Sequence, residues 1–253
     1  MPPFEEGDLV FLEGPDGRRH WVRIADGMLK IRSLGTVDGS RFKCLADGSS
    51  IDIAGKTFKV FVPGTVDLME SLERGAQVIT PKDAAAILMH CDVRPGITVL
   101  EVGAGSGGLT TALCAAVGDA GRVYTIELDE ANAKRALRNL RRAGLDRRWH
   151  YILGDAAEIR PDGPADVLVM DVPVPAAVLR NLDGNLRPGG RVCAYVPNAN
   201  QLQEAVETMR ELGYHGVHAM ENIRREMVVH PGGVRPAFDG LGHTGYLAFG
   251  RKG

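Results

Sequence analysis

Four glycines crowd into Glu101-Val102-Gly103-Ala104-Gly105-Ser106-Gly107-Gly108-Leu109, directly after the apolar run that contains β-branched Val99. The order strand, glycine turn, helix brings backbone N–H groups and a helix N-terminus up against a nucleotide-like ligand. In this reading Gly103 permits the tight turn, while Gly105 and Gly107 remove Cβ atoms that would hold a ligand off the main chain. Gly103, Gly105 and Gly108 also satisfy G-x-G-x-x-G, so the motif alone leaves a dinucleotide site open.

Three carboxylates stand at the ends of later apolar runs. Glu127 comes about 20 residues after the glycines, where an acid can hydrogen-bond both ribose hydroxyls. Gly154-Asp155, followed by Ala156, puts a carboxylate where it could accept from an adenine amino group. Asp171 leaves the next run, in Met-Asp-Val-Pro-Val-Pro. In an open α/β sheet, ligands sit beyond the carboxyl ends of the strands, where strand order reverses. Each acid also has a plain reading: Asp171 as a helix cap, Glu127 as a surface acid, Gly154-Asp155 as a turn.

The elements that must position these groups alternate between strand and helix from about residue 76. Thr80-Pro81-Lys82-Asp83 reads as a helix start, with a hydroxyl N-cap, proline in the first turn and an acid at the third position. Helices are expected over 109–117, 130–143, 176–182 and 200–212, and strands over 123–127, 149–153, 167–170 and 192–196. Continuously apolar strands suit a parallel sheet covered on both faces. Two further strands are expected near 225–229 and 246–249. Before residue 64 the pattern is different. Short strands over 8–12, 21–24, 29–31, 42–45, 51–53 and 57–62 alternate with turns such as Asp16-Gly17, Asp26-Gly27, Asp38-Gly39 and Asp47-Gly48. The expected division is therefore a small all-β domain over 1–64 and an α/β domain over 65–253.

Of the 253 residues, 44% are hydrophobic and 25% charged, as in ordinary globular proteins. No apolar run approaches the roughly 20 residues that span a bilayer, and Met-Pro-Pro-Phe-Glu-Glu does not resemble a signal peptide. A membrane partner is not expected. Cys44, Cys91, Cys114 and Cys193 lie far apart without a C-x-x-C pair, so neither a metal site nor a disulfide framework is expected, and the chain reads as cytoplasmic. The net charge of −2 does not advertise nucleic-acid binding, although a local patch can supply a field that net charge hides. Lys134, Arg135, Arg138, Arg141, Arg142, Arg147 and Arg148 read as a solvated helix face before an RNA track. Arg18-Arg19-His20 beside Trp21 fits a hairpin rim and an RNA contact equally.

Glu-Val-Gly-Ala-Gly-Ser-Gly, Glu127, Gly154-Asp155 and Leu186-Arg187-Pro188-Gly189-Gly190-Arg191-Val192 together resemble the Rossmann-like S-adenosylmethionine methyltransferases. The Arg-Pro-Gly-Gly turn before the fifth strand is typical of them, as is a final pair of strands. The small β domain, the segment Arg74-Gly75-Ala76-Gln77-Val78-Ile79-Thr80-Pro81-Lys82-Asp83, and the ending with Arg235-Pro236 and Gly242-His243-Thr244-Gly245-Tyr246 narrow this further. In combination they resemble the TrmI-type tRNA (adenine-N1)-methyltransferases, which modify T-loop position 58 and in some archaea also 57.

That resemblance implies an α/β Rossmann-like methyltransferase domain with a mostly parallel sheet, a homotetramer, S-adenosylmethionine as donor and tRNA as partner. It implies cofactor contacts from Gly103, Gly105, Ser106, Gly107, Gly108, Leu109, Glu127, Asp155, Ala156, Gln77 and Ile79. It also implies a catalytic Asp171 and target-base contacts from Thr80, Arg235, His243 and Thr244. Asp171 and Pro175 match the family's Asp-x-x-x-Pro-Trp pattern, but Ala176 stands where tryptophan is usual, Val174 replaces a frequently acidic residue, and Thr80 replaces Tyr or His. Methyltransferases acting on a corrin precursor or on protein isoaspartate share the entry segment, and a non-catalytic RNA-binding subunit is the reading from another class.

Overall fold

The computed structural model describes residues 2–75, 77–240 and 242–253; Ala76 of the entry segment lies outside them. The chain divides into two compact units, one ending at Leu68 and one beginning at Met69.

The first unit contains β1 (Leu9–Glu13), β2 (Arg19–Arg23), β3 (Met28–Ile31), β4 (Gly35–Asp38), β5 (Ser50–Ile53) and β6 (Lys56–Phe61). Antiparallel pairing gives a four-stranded sheet in the order β2-β1-β6-β5 and a separate β3–β4 hairpin. Val10, Leu12, Val22, Ile24, Phe58 and Val60 fill its core. Two expectations change here. Residues 35–38 form a strand that was not foreseen, and 42–45 do not form one. At Gly39 a Cβ would stand 1.9 Å from the Ala25 carbonyl, so only glycine lets the chain pass. A short 3-10 turn over Gly39–Arg41 then drops Phe42 into the core as a single anchor, not as part of an alternating strand.

Beyond it run α1 (Thr65–Glu70), α2 (Pro81–His90), β7 (Thr98–Val102), α3 (Gly108–Val117), β8 (Arg122–Glu127), α4 (Glu130–Ala143), β9 (Trp149–Leu153), β10 (Ala165–Met170), α5 (Pro175–Leu182), β11 (Leu186–Val196) and α6 (Ala199–Glu211). The chain closes with β12 (His215–Glu221), β13 (Met227–His230), β14 (Gly233–Pro236) and β15 (Tyr246–Arg251). Seven strands form one sheet in the order β12-β15-β11-β10-β7-β8-β9. Only β15 runs against the others. The expected α/β class with a mostly parallel sheet is therefore observed. The chain steps outward from β7 through β8 to β9, then returns to place β10 on the other side of β7. Strand order reverses at that seam, the place where open α/β sheets generally bind ligands.

The last strands differ from expectation. On its outer side β15 pairs with β12, a mostly exposed edge strand without a regular apolar alternation. Strand β13 pairs only with β14, in a hairpin of its own. The Arg-Pro-Gly-Gly segment is not a turn before a strand but a bulge within β11. Ala165 pairs Leu186 and Val167 already pairs Arg191, so the extra residues loop out around Gly189 at φ +75°.

One acid breaks the apolar pattern of β7. Glu101 is 1% exposed and accepts from Thr110 Oγ1 (2.9 Å) and Thr125 Oγ1 (2.6 Å), while Trp149 Nε1 donates to Thr125 Oγ1 (2.7 Å). This network ties β7, β8, β9 and α3 together. Burial pushes the Glu101 carboxyl up to about 8, against the pull of its two hydroxyl donors. The native state then holds a proton that the unfolded chain has lost above its usual value of 4.5, so this stabilisation declines as pH rises toward about 8. In denaturant titrations across that window, Glu101→Gln is expected to flatten the decline relative to the wild type. Equal slopes in the two proteins would exclude Glu101 as the carrier of that proton.

Candidate active site

The glycine turn is built by its neighbours at the carboxyl edge of the sheet. Gly103 has φ +88°, and a Cβ there would lie 2.5 Å from the Asp171 carbonyl. Its N–H donates to Ile126 O (2.9 Å), and Asp171 N–H donates to Val102 O (2.9 Å). Glu127 grips the turn from the next strand: Oε2 accepts from the N–H groups of Ala104 (2.8 Å) and Gly105 (3.0 Å), and Oε1 from Asp129 (2.9 Å). A Cβ on Gly105 would meet nothing within 4 Å, so this is the open side of the turn.

Gly107 and Gly108 lie against the protein's own elements. A Cβ on Gly107 would press on Ala136 of α4 at 3.3 Å, and one on Gly108 would strike Val78 Cγ1 at 2.0 Å. Protein packs against both positions, and Gly107, at φ +82°, also holds a left-handed conformation that favours glycine. Ser106 and Leu109 are buried, and Ser106 Oγ accepts from Gly75 N–H (3.0 Å) while its carbonyl accepts from Asn139 Nδ2 (2.9 Å). Ile79 is buried and Gln77 exposed.

Asp155 is exposed, its Oδ1 accepting from Ala157 N–H (2.8 Å); buried Ala156 gives its carbonyl to Asn181 Nδ2 (2.9 Å). The Asp171 carboxylate accepts no hydrogen bond among the described residues. Burial, and then the charge of Glu127, push it up to about 7. Neither Glu127, Asp155 nor Asp171 meets a lysine or arginine among the described residues. Acids left in this way suit a cationic ligand, which would relieve the repulsion between Glu127 and Asp171. Beside Glu127, Leu128 is 75% exposed and offers an apolar surface to a flat ring. Sequence reasoning passed over Leu128; its only signal was its place next to a strand-end acid.

A second polar cluster gathers three of the expected substrate contacts. Asp83, fully buried, accepts at Oδ2 from Thr80 Oγ1 (2.9 Å) and Thr244 Oγ1 (2.8 Å), and at Oδ1 from Lys82 Nζ (2.7 Å). Lys82 also donates to Thr244 Oγ1 (2.7 Å) and to the Asn222 carbonyl. Tyr195 OH donates to the Thr244 carbonyl (2.7 Å). His243 lies between Glu221 Oε1 (2.6 Å at Nδ1) and the Pro197 carbonyl (3.0 Å at Nε2). Both ring nitrogens face acceptors, and the hydrogen bond to the Glu221 carboxylate raises the pKa of the ring above its ordinary value. Thr80, His243 and Thr244 thus direct their polar atoms at α2 and the strand ends. Arg235 is elsewhere, on β14 with its guanidinium 4.2 Å above the Phe238 ring. Lys82, Asp83 and Tyr195 were not singled out, because an acid in the first turn reads as an ordinary cap.

The basic run on α4 is largely engaged within the unit. Arg138 pairs with Glu73 (2.9 Å), Arg142 donates to Ser71 Oγ (2.7 Å), Arg148 pairs with Asp119 (2.8 Å) and Lys134 with Glu130 (3.0 Å). This matches the solvated-face reading better than an RNA track.

Residues 65–235 match the family described as tRNA methyltransferase complex GCD14 subunit. The chain is 32% identical to the tRNA (adenine(57)-N(1)/adenine(58)-N(1))-methyltransferase TrmI of Methanocaldococcus jannaschii, over 78% of this chain and 79% of that one. Its fold superposes on a SAM-dependent O-methyltransferase of Thermotoga maritima with TM-score 0.86, at 30% identity, covering 98% of this chain and 94% of that one. On the tRNA (m1A58) methyltransferase TrmI of Aquifex aeolicus the TM-score is 0.79, at 25% identity, covering 99% and 98%. The glycine turn, the reversed strand order and the unpaired acids thus sit in a methyltransferase framework, and the chain belongs to the GCD14 family of tRNA methyltransferase complex subunits.

Proposed function

We propose that this protein methylates adenine N1 in the tRNA T-loop at position 58, and also at 57 as the M. jannaschii relative is named for, with S-adenosylmethionine as donor. The observation that carries the reading is Asp171, a carboxylate without a hydrogen bond at the seam where strand order reverses. The acids beside it fit the donor's positive charge. When bound, S-adenosylmethionine supplies an electrophilic methyl group on a sulfonium.

The protein's own contribution is to hold and orient. The N–H groups of the glycine turn and the carboxylates of Glu127 and Asp155 hold the donor's polar atoms. Asp171, once ionised, accepts from the adenine N6 amino group. That contact turns N1 toward the site and stabilises the positive charge the base acquires on methylation. Reaching N1 requires the base to leave its stack. Ala176, where relatives carry tryptophan, is buried at the start of α5 and offers the base no surface; the exposed apolar side chains just after Asp171 in sequence are Pro173 and Val174. The buried Asp83 cluster positions the start of α2 and the segment around Thr244 as one wall of the site.

We also infer a homo-oligomer, a tetramer as in the family, acting in the cytoplasm where its tRNA substrate is matured. The β13–β14 hairpin supports the assembly. Val229 and Val234 pair across it, 74% and 64% exposed, with Met227 on the same face. A hairpin with an open apolar face is marginal alone and gains stability from a covering surface.

Incubation with labelled donor and unmodified tRNA, followed by nucleoside analysis, is expected to place label in 1-methyladenosine. Label in an O-methylated product instead would favour the activity described for the Thermotoga structure. Asp171→Ala is expected to lower kcat by about 100-fold or more while donor affinity stays within about twofold, as calorimetry would show. Glu127→Ala should do the reverse, weakening donor binding at least about tenfold, since the turn loses the acceptor that shapes it. In the wild type, kcat/KM for tRNA should rise with pH through a single ionisation at or below about 7, as Asp171 loses its proton. A profile flat down to pH 5 would remove Asp171 from the mechanism.

A further inference from the structure

At the amino edge of the parallel strands, away from the acids, lies a cavity of about 130 Å³. Its walls come from the end of α2, the starts of β7 and β10, the bulge of β11 and the end of β15. Four arginines line it, against two aspartates. Arg187 Nε is paired with Asp166 Oδ1 (2.6 Å), and Arg94 Nε with Asp92 Oδ2 (3.3 Å). The other two have no such partner. Arg191 NH1 donates to the His90 carbonyl (3.1 Å) and Arg251 Nε to the Gly189 carbonyl (3.2 Å), and neither meets a carboxylate among the described residues.

The sheet register makes this costly. Arg191 and Arg251 stand directly opposite one another on the antiparallel β11–β15 pair. Like charges in that position destabilise a sheet. The bulge adds to the concentration of charge. A Cβ placed on Gly189, which has φ +75°, would stand 3.5 Å from Arg187 NH1 and 3.8 Å from Arg251 NH2, so two guanidinium groups converge on one point. Carbonyl contacts fix Arg191 and Arg251 through one nitrogen each and leave further N–H groups of each fork unassigned. An excess of two positive charges, held in planar forks around a polar cavity, matches an oxyanion with several acceptor oxygens.

We propose that this cavity binds a phosphate oxyanion, anchored by Arg191 and Arg251 with Arg187 at its side. The phosphate comes either from the backbone of the bound tRNA or from a small phosphate-bearing compound. The first source rests on the function proposed above; the site itself does not.

The test compares the full-length protein in inorganic phosphate and in sodium chloride at matched ionic strength. Phosphate at about ten times its Kd is expected to raise the melting temperature by about 2–4 °C beyond chloride. The gain should vanish in Arg191→Gln/Arg251→Gln and persist in Arg251→Lys, which keeps the charge. Removing two like charges relieves repulsion, so the double variant should fold; its circular dichroism and donor affinity, both expected unchanged, check this. No phosphate-specific gain in the wild type, or a gain that survives in the double variant, overturns the proposal. Fluorescence anisotropy with tRNA then separates the sources. Weakened binding with a shallower salt dependence, by about 0.7–0.9 in slope per lost phosphate contact, assigns the site to the RNA backbone. Unchanged tRNA binding with the phosphate gain lost assigns it to a small compound.

Discussion

The ends of β7, β8 and β10 are fastened to one another through the glycine turn, and the site exists because that fastening leaves no room for side chains. Val102 O receives the Asp171 N–H, Ile126 O receives the Gly103 N–H, and Glu127 receives the N–H groups of Ala104 and Gly105. With Gly103 packed on the Asp171 carbonyl, the glycine turn and the Asp171 backbone hold a fixed spacing. Backbone geometry sets that spacing, and it is stiffer than any pair of flexible side chains could be.

Buried acids are handled in opposite ways on the two sides of this fastening. Glu101 is enclosed by hydroxyl donors and the Trp149 indole, and burial dominates, so its proton stays on near neutrality. It acts as a cross-brace between strands and α3. Asp171 is half-buried and without donors, facing Glu127. A brace satisfied within the fold has no need of a ligand, whereas an acid without hydrogen bonds beside a second acid does. The same contrast separates the arginines on and just after α4, held by Glu73, Ser71 and Asp119, from Arg191 and Arg251, held opposite one another without a carboxylate.

The cluster around Asp83 shows how distant segments become one wall. Thr80 and Lys82 start α2, Asn222 leaves β12, and Thr244 precedes β15, yet all converge on a single carboxylate or its lysine. His243 reinforces the arrangement from its place between Glu221 and the Pro197 carbonyl. The polar atoms of these residues already have partners inside the protein.

Local pattern was enough for the α/β unit: helices 130–143 and strand 149–153 have the bounds that apolar periodicity and the Gly144 stop signal require. The glycine turn and the three strand-end acids were equally legible, since each depends on residues adjacent in the chain. Elements without an apolar signature escaped, as β12 did at the exposed sheet edge and Phe42 did as a lone anchor outside any strand. The packing against Gly107 and Gly108 was decided only when α4 and Val78 were brought alongside. So too were the partners of Thr80, Thr244 and His243, and the confrontation of Arg191 with Arg251 sixty residues apart in the chain. Periodicity and turn chemistry are properties of a few neighbouring residues, while burial, hydrogen-bond satisfaction and charge pairing are settled by whichever distant segment folding sets alongside.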